Sequence, residues 1–343
     1  MPTFDQARTD AEPLLSVRDL VVEYHTQRGL VRAADHVSFD LHRNEVFGLA
    51  GESGCGKSTV AHAITRILKP PAHIAGGQVL FDEVDVLKLN DDQLRDIRWR
   101  RISIVFQSAM NALSPVLTVG TQIADALQAH ENGTAQMTRR QVLDRARELL
   151  DLVGIDPDRV NSYPHQLSGG MRQRVVIAIA LALNPELIVM DEPTTALDVV
   201  VQKQIMDQIR ELRNQFGFSI LFISHDLSLM VEFSDRVGIM YAGELVEVAP
   251  SQAIFNDPQH PYTVRLMNSF PTLSGPRVEL FGIPGSPPDL ITPPPGCRFH
   301  PRCDVALAGR CQTERPGLQP IGARHMAACH LLDDKIVNKE DAS

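Results

Sequence analysis

The chain has 343 residues, a hydrophobic fraction of 43% and a formal net charge of −9 at pH 7. Such a composition is typical of a globular protein with a buried core, and the length suffices for one large domain or two smaller ones. The acidic balance and the lack of a Lys/Arg-rich block argue against a nucleic-acid-binding protein. The longest apolar run, Val175–Leu183, is too short to cross a bilayer, which needs about 20 residues. The N-terminus lacks a signal-peptide pattern, so we expect a cytoplasmic protein whose membrane role comes through partner chains.

The first elements are predicted from alternating and apolar segments. Residues 1–13 are polar and are predicted to be disordered. Alternation predicts short, half-buried strands at Leu20–Tyr24 and Val37–Leu41. The apolar run Val46–Ala50 predicts a further strand, and a helix-compatible segment begins at Val60. The segment between this strand and this helix is rich in glycine.

That glycine-rich segment matches the G-x-x-x-x-G-K-[ST] phosphate loop without a gap. It consists of Gly51, Glu52, Ser53, Gly54, Cys55, Gly56, Lys57, Ser58 and Thr59. Its backbone N–H groups and the following helix N-terminus form an anion site, and Gly54 and Gly56 permit close backbone approach. Lys57 can reach the β- and γ-phosphates, Ser58 can bind Mg²⁺, and Cys55 occupies a variable position that needs no thiol chemistry. The strand–loop–helix context predicts a nucleoside triphosphate site.

The remaining elements indicate a helical insertion within an α/β core. The predicted elements are strands at Gln78–Phe81 and Ile102–Phe106, a helical region at Val119–Gly154, a helix at Gly170–Leu183, a buried strand at Leu187–Met190, an amphipathic helix at Val199–Phe216 and a buried strand at Ser219–Ile223. Between Pro271 and Gly296 there are eight prolines, which exclude a central strand or long helix and predict an extended connector.

Two further motifs carry chemistry. Asp191 and Glu192 end the buried strand, where one carboxylate can join a Mg²⁺ shell and the other can polarise the water that attacks the γ-phosphate. Ser168, Gly169 and Gly170 open a helix upstream of that strand and form a second anion site.

The order of these motifs resembles that of the ATP-binding cassette (ABC) ATPases over Leu14 to Gln252. The further matches are Gln107 after a strand, Thr195-Ala-Leu-Asp198 after the acids, and Ser224-His225-Asp226 after the next strand. One departure is Met171, where the family pattern has Gln, and it affects only a peripheral side-chain contact.

The resemblance implies an α/β P-loop NTPase core with an antiparallel β subdomain and an α-helical subdomain. It also implies an ATP sandwich dimer, in which ATP on one phosphate loop meets Ser168, Gly169 and Gly170 of the other subunit. The implied roles are adenine stacking for Tyr24, a Mg²⁺ shell for Ser58, Gln107 and Asp191, water activation for Glu192, a γ-phosphate contact for His225, and coupling of the two sites for Asp198. Tyr24 could equally be a core tyrosine of a strand.

The second half of the chain resembles one branch of this family. His260–Met267, Ile283–Leu290 and Gly296–Cys303 are similar to the ATPase subunits of oligopeptide, dipeptide and nickel importers, and Met240–Gly243 is closer to their D-type subunit. The branch implies a peripheral subunit at the cytoplasmic face of the membrane. It also implies two permease subunits, an extracytoplasmic solute-binding protein and an F-type ATPase as heterodimer partner, although a homodimer stays open.

Four of the five cysteines cluster near the C-terminus with the spacing C-x5-C-x7-C-x17-C. They are Cys297, Cys303, Cys311 and Cys329. In a reducing compartment such clustering indicates a metal, either zinc or an iron–sulfur cluster, rather than disulfides. The branch resemblance implies a 4Fe–4S cluster, with zinc as the alternative. His300 and His330 could serve as spare ligands, but we expect both at the surface.

The predicted organisation is a nucleotide-binding domain over residues 14–255, with its helical subdomain at about 108–184, followed by a cysteine-bearing module over 256–330 and a flexible tail over 331–343. The expected function is an ATPase that energises peptide import, with nickel or oligosaccharide as alternative cargo. The remote alternative is a non-transport ABC protein that acts in DNA repair or on ribosomes. Those proteins usually carry two cassettes, a coiled coil or a basic zinc module, whereas this sequence shows one cassette, no heptad run and an acidic balance.

Overall fold

The computed structural model describes residues 12–107, 112–129, 137–195, 197–269 and 282–333. Most of the predicted disordered N-terminus and the tail beyond residue 333 therefore lie outside the described residues, as does part of the proline-rich connector. The predicted start of the tail at Leu331 is wrong. His330–Leu332 forms a 3-10 turn in which Leu332 is buried, so the packed structure extends past residue 331.

The described strands and helices follow one another in chain order. The strands are β1 (Leu15–Thr26), β2 (Gly29–Leu41), β3 (Val46–Ala50), β4 (Ala72–Phe81), β5 (Val84–Asp85), β6 (Ile102–Val105), β7 (Leu187–Asp191), β8 (Ser219–Ile223), β9 (Arg236–Tyr241), β10 (Glu244–Pro250), β11 (Gln319–Gly322) and β12 (His325–Ala327). The helices are α1 (Lys57–Ile64), α2 (Asp91–Ile97), α3 (Val119–Gln128), α4 (Arg139–Leu152), α5 (Gly169–Leu181), α6 (Val199–Phe216), α7 (Leu227–Phe233), α8 (Ser251–Asn256), α9 (Pro261–Asn268) and α10 (Arg310–Thr313).

The chain divides into two compact units. The first unit comprises His42–Asn44 and Lys88–Leu221, and the second comprises Pro13–Leu41, Glu45–Leu87 and the chain from Phe222 onward. The phosphate loop and all four C-terminal cysteines fall in the second unit, whereas the Ser-Gly-Gly motif and the acidic pair fall in the first.

The second unit contains an antiparallel sheet in the order β2-β1-β4-β5. β1 and β2 are 12 and 13 residues long, so the prediction of short strands at Leu20–Tyr24 and Val37–Leu41 is wrong about their extent. The reason is a β-bulge in each pairing of β1, near Asp19, whose φ is +47°. A bulge interrupts the two-residue alternation from which strand length is judged in a sequence.

The second unit also holds a mixed set of strands under the phosphate loop. β3 pairs in parallel with β9, β9 forms a hairpin with β10, and β10 pairs antiparallel with β12, which pairs with β11. All five residues of β3 are buried, as expected for a strand covered on both faces. β3 ends directly before Gly51, so the sheet fixes where the phosphate loop begins.

The first unit pairs β6 in parallel with β7 and also contains helices α2–α6. Every residue of β7 is buried. Glu186, directly before β7, accepts hydrogen bonds from Arg43 (2.9 Å) and Arg101 (2.6 Å), which fixes the entry to this strand. Throughout the described ranges, no helix combines the length and the apolar character that crossing a bilayer requires.

Candidate nucleotide site

The glycines of the phosphate loop adopt conformations that other residues avoid. Gly51, Gly54 and Gly56 have φ values of +147°, +78° and +108°. A Cβ at Gly56 would lie 2.1 Å from the carbonyl oxygen of Ala33, and one at Gly51 would lie 2.2 Å from that of Met240. A Cβ at Gly54 would meet nothing within 4 Å. Close packing of the loop therefore depends on Gly51 and Gly56, while Gly54 is needed for its backbone conformation alone.

Lys57 lies inside the curve of this loop. Its side chain is 6% exposed, and its Nζ donates to the carbonyl oxygens of Gly51 (2.9 Å) and Glu52 (3.0 Å). Its Nζ also lies 3.6 Å from the Sγ of Cys55. Burial raises the pKa of the Cys55 thiol, so this thiol stays protonated and serves as packing, in line with its place in a variable position of the motif.

The rest of the loop leads into α1. Ser53 is exposed, and Ser58 and Thr59 are partly exposed. The hydroxyl of Tyr24 lies 3.2 Å from Oγ1 of Thr59, which places this half-buried tyrosine of β1 beside the first turn of α1. The ring of Tyr24 therefore lies next to the loop and is not enclosed in the core.

The acidic pair ends β7 in the first unit. Asp191 is buried, whereas Glu192 is partly exposed and has a φ of +48°, a left-handed conformation that is costly for a residue with a Cβ. Oε2 of Glu192 accepts hydrogen bonds from Nε2 of Gln107 (2.8 Å) and Oγ1 of Thr195 (3.0 Å). Gln107 and Glu192, which sequence reasoning singled out separately, are thus in direct contact.

Thr195 is a positioning residue that sequence reasoning missed, although it begins the Thr195-Ala-Leu-Asp198 motif. It binds the same carboxylate oxygen as Gln107. A hydroxyl residue three positions after an acid is a recurrent local hydrogen-bonding arrangement, and that spacing was the only signal available.

The Ser-Gly-Gly motif opens α5 at an exposed position. Ser168 is the N-cap, its Oγ accepting from the N–H of Met171 at 3.3 Å, and Gly169 and Gly170 form the first turn. A Cβ at Gly170 would lie 2.7 Å from Cγ1 of Val201 in α6, so glycine lets the two helices approach closely. The first-turn N–H groups of a helix of this length are the kind of group that binds anions.

Asp198 and His225 follow β7 and β8. Asp198 is exposed and caps α6 by accepting from the N–H of Val201 at 2.9 Å. Beside it the side chain of Val199 is 80% exposed, an apolar surface next to a polar cap. His225 is exposed. Its neighbour Ser224 is buried, and its other neighbour, Asp226, is the N-cap of α7. The turn around His225 is thus fixed by its neighbours while the imidazole faces solvent.

The four C-terminal cysteines line a single small cavity. Cys297, Cys303, Cys311 and Cys329 line it together with His300 and His330. Among the described residues, no three of the cysteine sulfurs all lie within 4.8 Å of one another. A tetrahedral zinc ion with Zn–S bonds of about 2.3 Å would bring every pair of sulfurs to about 3.8 Å. The four thiols thus share a cavity but are spread more widely than a single zinc ion requires.

Burial controls the protonation of these thiols. It raises the pKa of Cys297 to about 12 and that of Cys329 to about 11, and it also raises the pKa of Cys303. As free groups Cys297, Cys303 and Cys329 are neutral thiols, and a metal would have to displace their protons. The prediction that His330 lies at the surface is wrong, because its side chain is 8% exposed and Nε2 lies 3.0 Å from the carbonyl oxygen of Glu314.

The comparisons with known proteins agree with these motifs. The family model "ABC transporter" matches residues 34–195, and "Oligopeptide/dipeptide transporter, C-terminal region" matches residues 246–311. The chain is 44% identical to the dipeptide transport ATP-binding protein DppD of Bacillus subtilis, over 94% of this chain and 96% of that protein. It is also 44% identical to the oligopeptide transport ATP-binding protein OppD of the same organism, over 88% and 85%. The chain belongs to the ABC transporter ATP-binding family.

Solved structures give the same fold. A dimeric post-hydrolysis structure of the ATP-binding cassette MJ0796, bound to ADP and Pi, matches with a TM-score of 0.62 and 30% identity, over 69% of this chain and 98% of that one. The cassette CbiO1 of Clostridium perfringens, part of the CbiONQ transporter complex, matches with a TM-score of 0.61 and 26% identity, over 72% and 92%. The P-loop NTPase fold expected from the sequence is therefore confirmed, and the chain is an ABC-type ATPase.

Proposed function

We propose that this chain is the ATP-hydrolysing subunit of an ABC importer, and that it drives peptides through two membrane permease subunits. The observation that carries the proposal is the phosphate loop, whose φ values and buried lysine form an anion cradle on a chain that also has the peptide-transporter C-terminal region. Relatives named as dipeptide and oligopeptide transport proteins support the cargo class. The subunit acts at the cytoplasmic face of the membrane, with an extracytoplasmic solute-binding protein delivering the peptide.

The site residues take separate parts in hydrolysis. Lys57 binds the phosphates from within the loop, and Tyr24 stacks on the adenine. Ser58, Gln107 and Asp191 would hold Mg²⁺, which neutralises charge on the phosphates. Glu192 polarises the attacking water. Hydrogen bonds from Gln107 and Thr195, together with a strained backbone conformation, keep the Glu192 carboxylate in a fixed orientation. His225 contacts the γ-phosphate. Positioning and electrostatics carry such a reaction, with little covalent chemistry for the protein.

Two chains close over two nucleotides in this proposal. Ser168, Gly169 and Gly170 bind the ATP of the partner subunit, and Asp198 couples the sites. Their exposure at helix starts, beside the exposed Val199, supports a surface that is covered in a dimer. The partner is an F-type ATPase, because this chain resembles the D-type subunit, and similar proteins carry the names DppD and OppD. The nucleotide-binding domain spans residues 14–255, with a helical subdomain at about 108–184 that receives a permease helix, and the C-terminal module begins at residue 256 and extends past residue 331.

We propose that the four C-terminal cysteines hold an iron–sulfur cluster. Four thiols line one cavity, which is the donor set of a 4Fe–4S cluster, and zinc is the alternative metal. Cys297, Cys303, Cys311 and Cys329 would hold the cluster, which would cross-link the irregular module. Iron and sulfide analysis of anaerobically purified protein tests this assignment, and one equivalent of zinc without iron would overturn it.

The ATPase role is tested with Glu192→Gln. We expect the variant to bind ATP like the wild-type chain and to lose turnover, because an amide cannot polarise the water as the carboxylate does. Glu148→Gln, on the exposed face of α4, is the matched control and should hydrolyse ATP normally. Undiminished hydrolysis by Glu192→Gln contradicts the assignment. The cargo is tested by isolating the native complex and measuring which solute stimulates its ATPase.

A further inference from the structure

The cysteine-bearing module reaches the phosphate loop through one arginine. Arg302 directly precedes Cys303, and its Nη1 and Nη2 donate to Oε2 (2.7 Å) and Oε1 (3.1 Å) of Glu52, the second residue of the loop. The arginine side chain is only 6% exposed and that of Glu52 is 24% exposed. A two-pronged, largely buried Arg–carboxylate pair is far stronger and more directional than a surface ion pair.

The guanidinium is fixed by other groups of the same unit. Its Nε donates to the carbonyl oxygen of Pro284 at 2.7 Å, and Nη2 lies 3.3 Å from that of Ile283. Nη1 also lies 3.3 Å from the hydroxyl of Tyr241. Arg302 therefore ties the proline-rich connector, the end of β9 and the phosphate loop together. Lysine, with one nitrogen, could not make these contacts at once.

The backbone of Glu52 is held from a second side. Its N–H donates to the hydroxyl of Tyr262 at 2.9 Å, and Tyr262 is fully buried in α9 against the rings of Tyr241 and Phe299. The carbonyl oxygen of Glu52 accepts from Lys57 Nζ at 3.0 Å. The position of Glu52 thus bears directly on the lysine that binds phosphate.

A carboxylate in such a loop is an electrostatic liability. The nucleotide brings several negative charges to the same loop, and an unpaired Glu52 would repel them within a partly desolvated site. The pairing with Arg302 cancels this charge, and the bidentate geometry restricts where the carboxylate can lie.

We propose that Arg302 is a positioning residue of the nucleotide site, which neutralises and restrains Glu52 so that the phosphate loop can accept ATP. The C-terminal module thereby supports nucleotide binding directly. This inference rests on the proposed function, since it presupposes that the loop binds ATP. Because Arg302 directly precedes Cys303, whatever orders the cysteines also orders the residue that restrains the loop.

The test is a double-mutant cycle on equilibrium binding of MgATP to the full chain, measured by displacement of trinitrophenyl-ATP. Arg302→Met should weaken binding about tenfold, because it leaves the Glu52 charge unpaired. In a Glu52→Gln background the same substitution should change the dissociation constant by less than about twofold, since no charge then needs pairing. Arg302→Lys should reduce the affinity for MgATP less than Arg302→Met does, because lysine keeps the positive charge and loses only the bidentate contact with the carboxylate.

Arg265→Met is the matched control, because Arg265 pairs with Asp304 at 2.6 Å on the other side of Cys303 and does not contact the loop in the structure. It should leave the dissociation constant unchanged. Thermal melting of each variant reports whether the fold survives. A tenfold loss that persists in the Glu52→Gln background would mean a merely structural role and would overturn the proposal, as would equal binding by Arg302→Met. If the wild-type chain itself fails to bind ATP, the proposed function fails instead.

Discussion

Replacement of His260 by asparagine should flatten the dependence of stability on pH. His260 is 1% exposed and is the N-cap of α9, with Nδ1 accepting from the N–H of Tyr262 at 3.0 Å. The backbone N–H of His260 donates to Oε2 of the buried Glu247. The other carboxylate oxygen of Glu247, Oε1, lies 2.7 Å from Nε2 of His325. Protonation of Nδ1 would both charge a buried ring and break the cap.

The magnitude follows from the pKa. Burial lowers the pKa of His260 from 6.5 to about 4, despite the opposing charge of Glu247. Between pH 6.5 and pH 4 the histidine is protonated in the unfolded chain but not in the folded chain. The free energy of unfolding is therefore unaffected by this group above pH 6.5, and it falls as the pH decreases towards 4. At pH 5 the difference in proton binding amounts to about 2 kcal/mol of unfolding free energy.

The assay is urea unfolding of the full chain at intervals from pH 7.5 to pH 5, for wild type and His260→Asn. Asparagine caps a helix through its side-chain oxygen and does not titrate, so its cost in lost packing is constant with pH. On acidification to pH 5, the free energy of unfolding of the wild type should therefore fall by about 2 kcal/mol more than that of His260→Asn. Parallel profiles would refute the reasoning, because acids elsewhere in the chain contribute equally to both proteins.

Two further substitutions test the loop and the cysteine cavity. Gly56→Ala should abolish ATP binding, since its Cβ would lie 2.1 Å from a backbone oxygen. Gly54→Ala should weaken ATP binding less, because its Cβ would meet nothing within 4 Å. Titration with trinitrophenyl-ATP compares the dissociation constants of the two variants. Equal losses would argue against the packing explanation. Cys297→Ser should prevent assembly of the proposed iron–sulfur cluster, which metal analysis would report as a loss of iron relative to wild type, yet it should weaken ATP binding no more than Arg302→Met does. A greater loss would mean that the module acts on the loop through contacts other than Arg302.

The core of each unit could be predicted because its sequence pattern depends on burial alone. The strand predicted at Leu187–Met190 is β7, and the predicted helix Val199–Phe216 and strand Ser219–Ile223 have the bounds of α6 and β8. In β7 and β8 every residue is buried, so an unbroken apolar run identifies them. In α6 the cap Asp198 and the left-handed Gly217 mark both ends.

Side-chain orientation limited the rest of the prediction. The motifs identified Gln107 and Glu192, but only the fold shows that they share a hydrogen bond, and it adds Thr195 to the same carboxylate. His330 was expected at the surface. It is buried because its ring lies against a backbone carbonyl on the wall of the cysteine cavity, a partner that no local pattern indicates.

The pairing of Glu52 with Arg302 shows why a motif alone does not define the loop. The phosphate-loop pattern leaves the second position open, so the sequence gives no reason to choose glutamate there, and 250 residues separate it from its partner. An acid at this position is disfavoured when the loop is considered alone, because it opposes the charge of the nucleotide. Its pairing with Arg302 of the C-terminal module offsets this opposition. If Arg302 is the positioning residue proposed above, ATP binding depends on that module as well as on the loop.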